Sequence, residues 1–165
     1  MNEIRLVEVN KENFGEVVKL SKTLTKEQAE CVAPNVYSIA EAHVHGDEAW
    51  MRAVYLDEKP IGFVMLSYEK DDEMYNDFIK PFVDNKDNLS YIGLWRFMMA
   101  GDYQGKGYGK KVLDLIVNKC KEEGIDVLCT SCVMAEVSPY NFYIKYGFED
   151  TGIMDDDEEI LLLKL

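Results

Sequence analysis

The sequence predicts an α/β protein built on a mixed sheet. Three observations carry that expectation. Strand-like and helix-like segments alternate along the whole 165-residue chain. A strongly apolar, aromatic run over residues 90–100 suits a central strand covered on both faces. An amphipathic helix with a clean 3.6-residue period follows it across a glycine-rich turn.

The elements follow in order. Residues 4–9 alternate and read as a first strand, and Asn10 or Asn13 can cap a short helix carrying Phe14, Val17, Val18 and Leu20. Thr25 can cap a second helix through Cys31, with Pro34 interrupting, and residues 38–45 suggest a third. This irregular stretch is where substrate contacts are expected. Residues 50–56 and 61–68 form a hairpin across the polar turn Asp57-Glu58-Lys59-Pro60. Residues 69–77 are acidic and read as a solvated loop or short helix. From Lys110, Val112, Leu113, Ile116, Val117 and Cys120 lie on one helical stripe, which Gly124 ends as a left-handed cap. Residues 127–133 are a strand. Ser138 is the expected N-cap of a helix with Pro139 in its first position, stopped by Gly147, and residues 148–153 and 160–165 pair as a last hairpin.

Composition narrows the function. With 47% apolar and 30% charged residues, the chain is no disordered segment, and its length fits one domain over residues 1–165. No apolar run approaches the ~18 residues of a membrane span. The start Met1-Asn2-Glu3-Ile4-Arg5 has no basic lead into an apolar stretch, so a cytoplasmic setting is expected. A net charge of −13 repels phosphate backbones and anionic lipid, so neither nucleic acid nor membrane is an expected partner. It favours a cationic ligand, although acidity also serves solubility. Cys129-x-x-Cys132 has a metal-like spacing, but no second cysteine pair accompanies it. Three residues apart on a strand also means opposite faces, so no metal is expected.

The turn Gln104-Gly105-Lys106-Gly107-Tyr108-Gly109 sits between the buried strand and the amphipathic helix. Glycine lets a ligand approach the backbone, and the first N–H groups of a helix lack internal partners. Together they suit a pyrophosphate, and Lys106, Lys110 and Lys111 gather positive charge there in an otherwise acidic chain. The nucleotide-triphosphate loop does not fit, because Ala100 and Gly107 stand where its first glycine and its Ser/Thr belong. The dinucleotide fingerprint fails at Lys110. A turn in which the glycines serve only the backbone stands beside the anion-binding reading.

Gln104, Gly107 and Gly109 do fit the pattern Q/R-x-x-G-x-G/A, and the run Asp102 to Lys111 resembles the pyrophosphate loop of the GNAT superfamily of N-acetyltransferases. A second segment, Ser138-Pro139-Tyr140-Asn141-Phe142-Tyr143-Ile144-Lys145-Tyr146-Gly147-Phe148, is similar to that family's helix ending in Y-x-x-x-G-F. The resemblance implies a mostly antiparallel sheet of about seven strands flanked by helices, with a splayed central strand pair. It implies acetyl-CoA as cosubstrate, with the pantetheine arm on the backbone at Phe97, Met98 and Met99. The diphosphate would lie on Gln104, Gly105, Lys106, Gly107, Tyr108, Gly109 and Lys110. Tyr143 matches the family's general acid for the leaving thiolate; a buried structural tyrosine is the other reading. Glu136 stands where the family often has an asparagine that contacts pantetheine. It can accept a hydrogen bond from the cofactor but cannot donate one. Pro139 stands where alanine is common.

Among subfamilies the chain looks most like bacterial spermine/spermidine acetyltransferases, which implies a small cationic amine as substrate, and a homodimer is expected. Glu41, Glu48, Asp72 and Trp95 are the candidate amine contacts. Glu41, Glu48, Asp72, Glu73 and His45 are the candidate bases for the ammonium proton. A protein N-terminus, a lysine or a drug-like amine is the alternative acceptor. A non-catalytic acyl-CoA sensor is the alternative to an enzyme.

Overall fold

The computed structural model describes residues 3–165. Seven strands form one sheet in the order β1-β2-β3-β4-β5-β7-β6: β1 Ile4–Val7, β2 Ala49–Leu56, β3 Lys59–Ser67, β4 Tyr91–Met99, β5 Val127–Val133, β6 Glu149–Asp155 and β7 Glu158–Lys164. Every pairing is antiparallel except β4 with β5. Helices α1 Phe14–Lys19, α2 Lys26–Ala29 and α3 Asn35–His45 precede β2, α4 Tyr108–Glu122 joins β4 to β5, and α5 Tyr140–Tyr146 joins β5 to β6.

Strand alternation sends side chains to two cores. On one face Val54, Val64, Leu66, Ile92, Leu94, Leu128 and Leu161 meet the α4 stripe of Val112, Leu113, Ile116 and Cys120, and Tyr143 from α5. On the other face Ala53, Phe63, Met65 and Met98 meet Val17 of α1 and Ala42 of α3. Further along that face Tyr91, Val127, Cys129, Ile160 and Leu162 are covered by Ile79 and Val83. Cys129 and Cys132 therefore belong to different cores, as residues three apart on a strand must.

Several boundaries differ from the sequence expectation, each for a local reason. The first strand stops at Val7 because the Asn13 amide donates to the Glu8 carbonyl at 2.9 Å and bends the chain into α1. The second helix is capped as expected, by a Thr25–Gln28 capping box, but ends at Ala29. Pro34 does not break a helix; its carbonyl accepts from Tyr37 and Ser38 and starts α3. Of the two readings of the acidic stretch, the short helix holds, as a π-helical turn over Met74–Ile79. Helix α4 begins at Tyr108, before Lys110. Helix α5 begins at Tyr140, so Pro139 is its cap, and Ser138 Oγ accepts from the Tyr140 N–H at 3.2 Å. Phe148 belongs to the core beside Tyr143, and the strand starts one residue later.

Two features of β4 create the site. The register with β3 skips one residue, Met65 opposing Arg96 and Leu66 opposing Leu94, so Trp95 is the extra residue of a bulge. The parallel ladder with β5 covers only Tyr91, Ile92 and Gly93. Beyond it Thr130 Oγ1 donates to the Leu94 carbonyl at 3.1 Å, and the strands then diverge. A gap therefore opens beside the second half of β4.

Candidate active site

The backbone of β4 faces that gap. Ala100 donates its N–H to Ile61 on β3 at 2.8 Å, and Met98 opposes Phe63 on the same strand. Peptide groups alternate along a strand, so those of Phe97 and Met99 lie on the open side. Of the three positions expected to meet pantetheine, Phe97 and Met99 turn their edge groups toward the gap, and Met98 is paired with β3. The Met99 carbonyl accepts from the Gln104 amide at 2.8 Å.

The glycine turn closes one end. Gly105 and Gly107 have φ of +69° and +80°, where a side chain would be strained. Gly107 sits at the N-cap of α4 with no side-chain cap, and the first turn carries no acidic residue. The leading N–H groups of α4 are thus left for a ligand. Gln104 also has a structural part. Its Oε1 accepts from Gln28 of α2 at 2.7 Å while its amide holds Met99, so it ties α2 to the end of β4. Lys106 lies over the Tyr103 ring at 5.8 Å, and Lys110 pairs with Asp114 at 3.0 Å.

Two cavities meet at the gap. The first, about 510 Å³, is bounded by Phe97, Met98, Met99, Gln104, Gly105, Gly107, Gly109, Lys110 and Tyr143, together with Leu24, Gln28, Val32, Tyr103 and Phe142. The second, about 630 Å³, lies against the sheet between the linker that joins α2 to α3 and the stretch from Ser67 to Met74. Its floor is Tyr91, Leu94, Trp95, Cys129 and Ile160. Phe97, Pro139 and Tyr143 line both, with Cys31 and Val32.

Tyr143 is 5% exposed, held edge-on against Phe148 at 5.2 Å. Burial pushes its phenol well above the ordinary tyrosine range, against the smaller pull of a hydrogen bond with Thr130. It keeps its proton at physiological pH and so has one to donate.

The sequence-expected residues divide plainly. Lys106, Tyr108 and Glu136 lie outside the lining of the first cavity. Trp95 lines the second, whereas Glu41, Glu48, Asp72, Glu73 and His45 do not. Glu41 is instead paired with Arg96 at 3.0 Å, and His45 packs edge-on against Trp95 at 5.0 Å. The acids that do line the second cavity are Glu30, Glu69, Asp71, Asp155 and Glu158. Burial, and secondarily Glu30, push the Cys31 thiol upward. Tyr103, Pro139 and Phe142 lay inside the quoted motifs; Leu24, Gln28, Cys31 and Val32 carried no chemical signal beyond their irregular segment.

Comparison with known proteins gives this geometry a context. A family model described as the acetyltransferase (GNAT) family matches residues 16–148. A spermine/spermidine N(1)-acetyltransferase of Bacillus subtilis strain 168 is 30% identical over 115 residues, covering 64% of this chain and 69% of that protein. Among solved structures, the PaiA N-acetyltransferase of Thermoplasma acidophilum in complex with coenzyme A superposes with a TM-score of 0.67 at 17% identity, covering 99% of each chain. An aminoglycoside acetyltransferase in complex with coenzyme A does so with a TM-score of 0.72 at 14% identity, covering 98% of this chain and 95% of that one.

Proposed function

The chain belongs to the GNAT family of acetyltransferases, and from that premise we propose that it transfers the acetyl group of acetyl-CoA to a primary amine of a polyamine such as spermine or spermidine. The observation that carries the reading is the meeting of two cavities at Tyr143 and Phe97, one ending on an uncapped helix N-terminus and the other edged by five carboxylates.

The donor takes the first cavity. Its diphosphate lies on the leading N–H groups of α4, beside Lys106 and Lys110, and its pantetheine arm runs along the free edge of Phe97 and Met99. A β4 amide donates to the thioester oxygen and holds the charge that grows there during attack, an effect worth several kcal/mol in a dry site. The amine approaches from the second cavity. Its carbon–nitrogen bond forms as the carbon–sulfur bond breaks, and the electron pair leaves on sulfur. Tyr143 donates a hydrogen bond to that thiolate. A free thiol has a pKa of ~8.5, so a phenol pushed above ~10 shares its proton more than it surrenders it, unless the thiolate is equally desolvated. The ammonium loses its proton, directly or through water, to a carboxylate of the second cavity.

The polyamine is supported by three things. The acids Glu30, Glu69, Asp71, Asp155 and Glu158 surround the second cavity. The net charge is −13. The curated relative is named for spermine and spermidine. Acidic walls both steer a polycation and offset its desolvation. The same proposal takes residues 1–165 as one catalytic domain, working as a cytoplasmic homodimer.

The test is release of free CoA from acetyl-CoA with a panel of amines. Spermine and spermidine are expected to exceed an N-terminal peptide, a lysine peptide and an aminoglycoside. Turnover of one of those alone would replace the polyamine. Binding of acetyl-CoA with turnover of none would leave a sensor.

A further inference from the structure

One ion pair borders the second cavity yet has no place in the chemistry above. Arg96 follows the bulge residue Trp95 on β4 and lines the second cavity, so a cationic side chain stands in a wall otherwise carrying carboxylates. Its Nη2 meets Glu41 of α3 at 3.0 Å, and its Nη1 donates to the Trp95 carbonyl at 2.9 Å. The guanidinium lies 5.2 Å from the Trp95 ring centre, and the buried Nε has no partner. The two side chains are 19% and 21% exposed, so solvent screens them only in part.

Arginine cannot shed its charge at any relevant pH. Left alone beside the amine cavity, it would repel an incoming ammonium, and a polycation most of all. Glu41 is the single carboxylate in contact with it among the described residues. We propose that Glu41 is a specificity-determining residue: it is the counter-ion that cancels Arg96, so that the amine cavity presents only negative charge. This rests on the reading of the second cavity as the amine site. Glu41 acts through Arg96 and does not itself touch the substrate, consistent with its place outside the lining.

The proposal predicts a dependence on substrate charge that a merely structural ion pair would not give. In Glu41→Gln, KM is expected to rise about tenfold for spermine and about twofold for a monoamine, since each added ammonium meets the uncovered guanidinium at partly screened distance. KM for acetyl-CoA stays constant. The double variant Glu41→Gln/Arg96→Gln removes both charges while keeping polar side chains, and is expected to bring the spermine KM back toward wild type. Because removing one partner of a half-buried pair can unfold a protein, melting temperatures are read alongside, and the double variant serves as the folded reference.

Equal KM changes for monoamine and spermine, a joint rise for amine and acetyl-CoA, or no recovery in the double variant would each overturn the proposal. Calorimetric titration of spermine into the protein saturated with CoA gives the same comparison without turnover. Spermine binding weakened by Glu41→Gln in a protein that acetylates no amine would sink the enzymatic reading while supporting the counter-ion. Turnover that ignores amine charge in every variant would do the reverse.

Discussion

Tyr143 sets the sharpest expectation at the scale of single residues. It lines both cavities and holds its proton firmly because it is buried. Tyr143→Phe keeps the ring against Phe148 and removes only the donor. We expect kcat to fall about 100-fold, the low end of lost general acid–base help, with acetyl-CoA affinity within about twofold by calorimetry. Undiminished kcat would remove the tyrosine from the mechanism. The pH profile carries a second expectation. The shift is upward, so the phenol stays protonated below its ordinary value, and no loss of kcat from its ionisation is expected below about pH 10. Gln104 shows how far the sequence reached at this scale. Its position in the motif was legible, but its work was not: joining Gln28 to Met99 depends on α2 folding back over β4. The cavity acids were hidden for a similar reason. Glu30, Glu69, Asp71, Asp155 and Glu158 lie on three separate stretches, and only the assembled sheet brings them to one cavity.

Among the elements, the turn into α4 concentrates the consequences. Gly107 at φ +80° begins the helix, and an added Cβ there meets no neighbour, so the penalty of Gly107→Ala is conformational. It is expected to cost about 1 kcal/mol of stability, and to weaken acetyl-CoA binding at least as much by turning the first N–H groups away. Equal affinity in the variant would mean that the diphosphate lies elsewhere. Gly101 is tight for another reason: a Cβ there would stand 2.5 Å from the Thr23 carbonyl, where the segment after α1 crosses the end of β4. The period of α4, the hairpin of β2 and β3 and the two motifs were all readable, because each is a local pattern. The splaying of β4 from β5 came only with the family resemblance, and neither the bulge at Trp95 nor Gly93 as the last paired residue was readable, since register belongs to two strands at once.

On the scale of the whole molecule, charge and buried phenols govern behaviour. A net charge of −13 attracts a polyamine and repels the anionic donor. Added salt is therefore expected to lower kcat/KM for spermine several-fold and to leave that for acetyl-CoA unchanged or raised, as stopped-flow or steady-state rates would show. Opposite trends would mean that local lysines and acids, not the global field, decide encounter. Tyr68, Tyr143 and Tyr146 are all pushed above the ordinary range, first by burial, with Glu123 and Asp114 adding to it for Tyr68 and Tyr146. In the unfolded chain they titrate near ~10. Above that pH the unfolded state gives up protons that the folded state keeps, so stability is expected to fall as pH rises. Circular dichroism and tyrosinate absorbance should change together there.

The divergence of β4 from β5 also fixes the traffic through the enzyme. In the proposed reaction the thioester and the amine enter through separate doorways that share only Cys31, Val32, Phe97, Pro139 and Tyr143. Neither molecule must depart before the other arrives, and Cys31 at the crossing, its thiol held protonated, is a poor way station for the acyl group. Double-reciprocal plots with both reactants varied should therefore intersect; parallel lines would mean that the acyl group stops on the protein along the way.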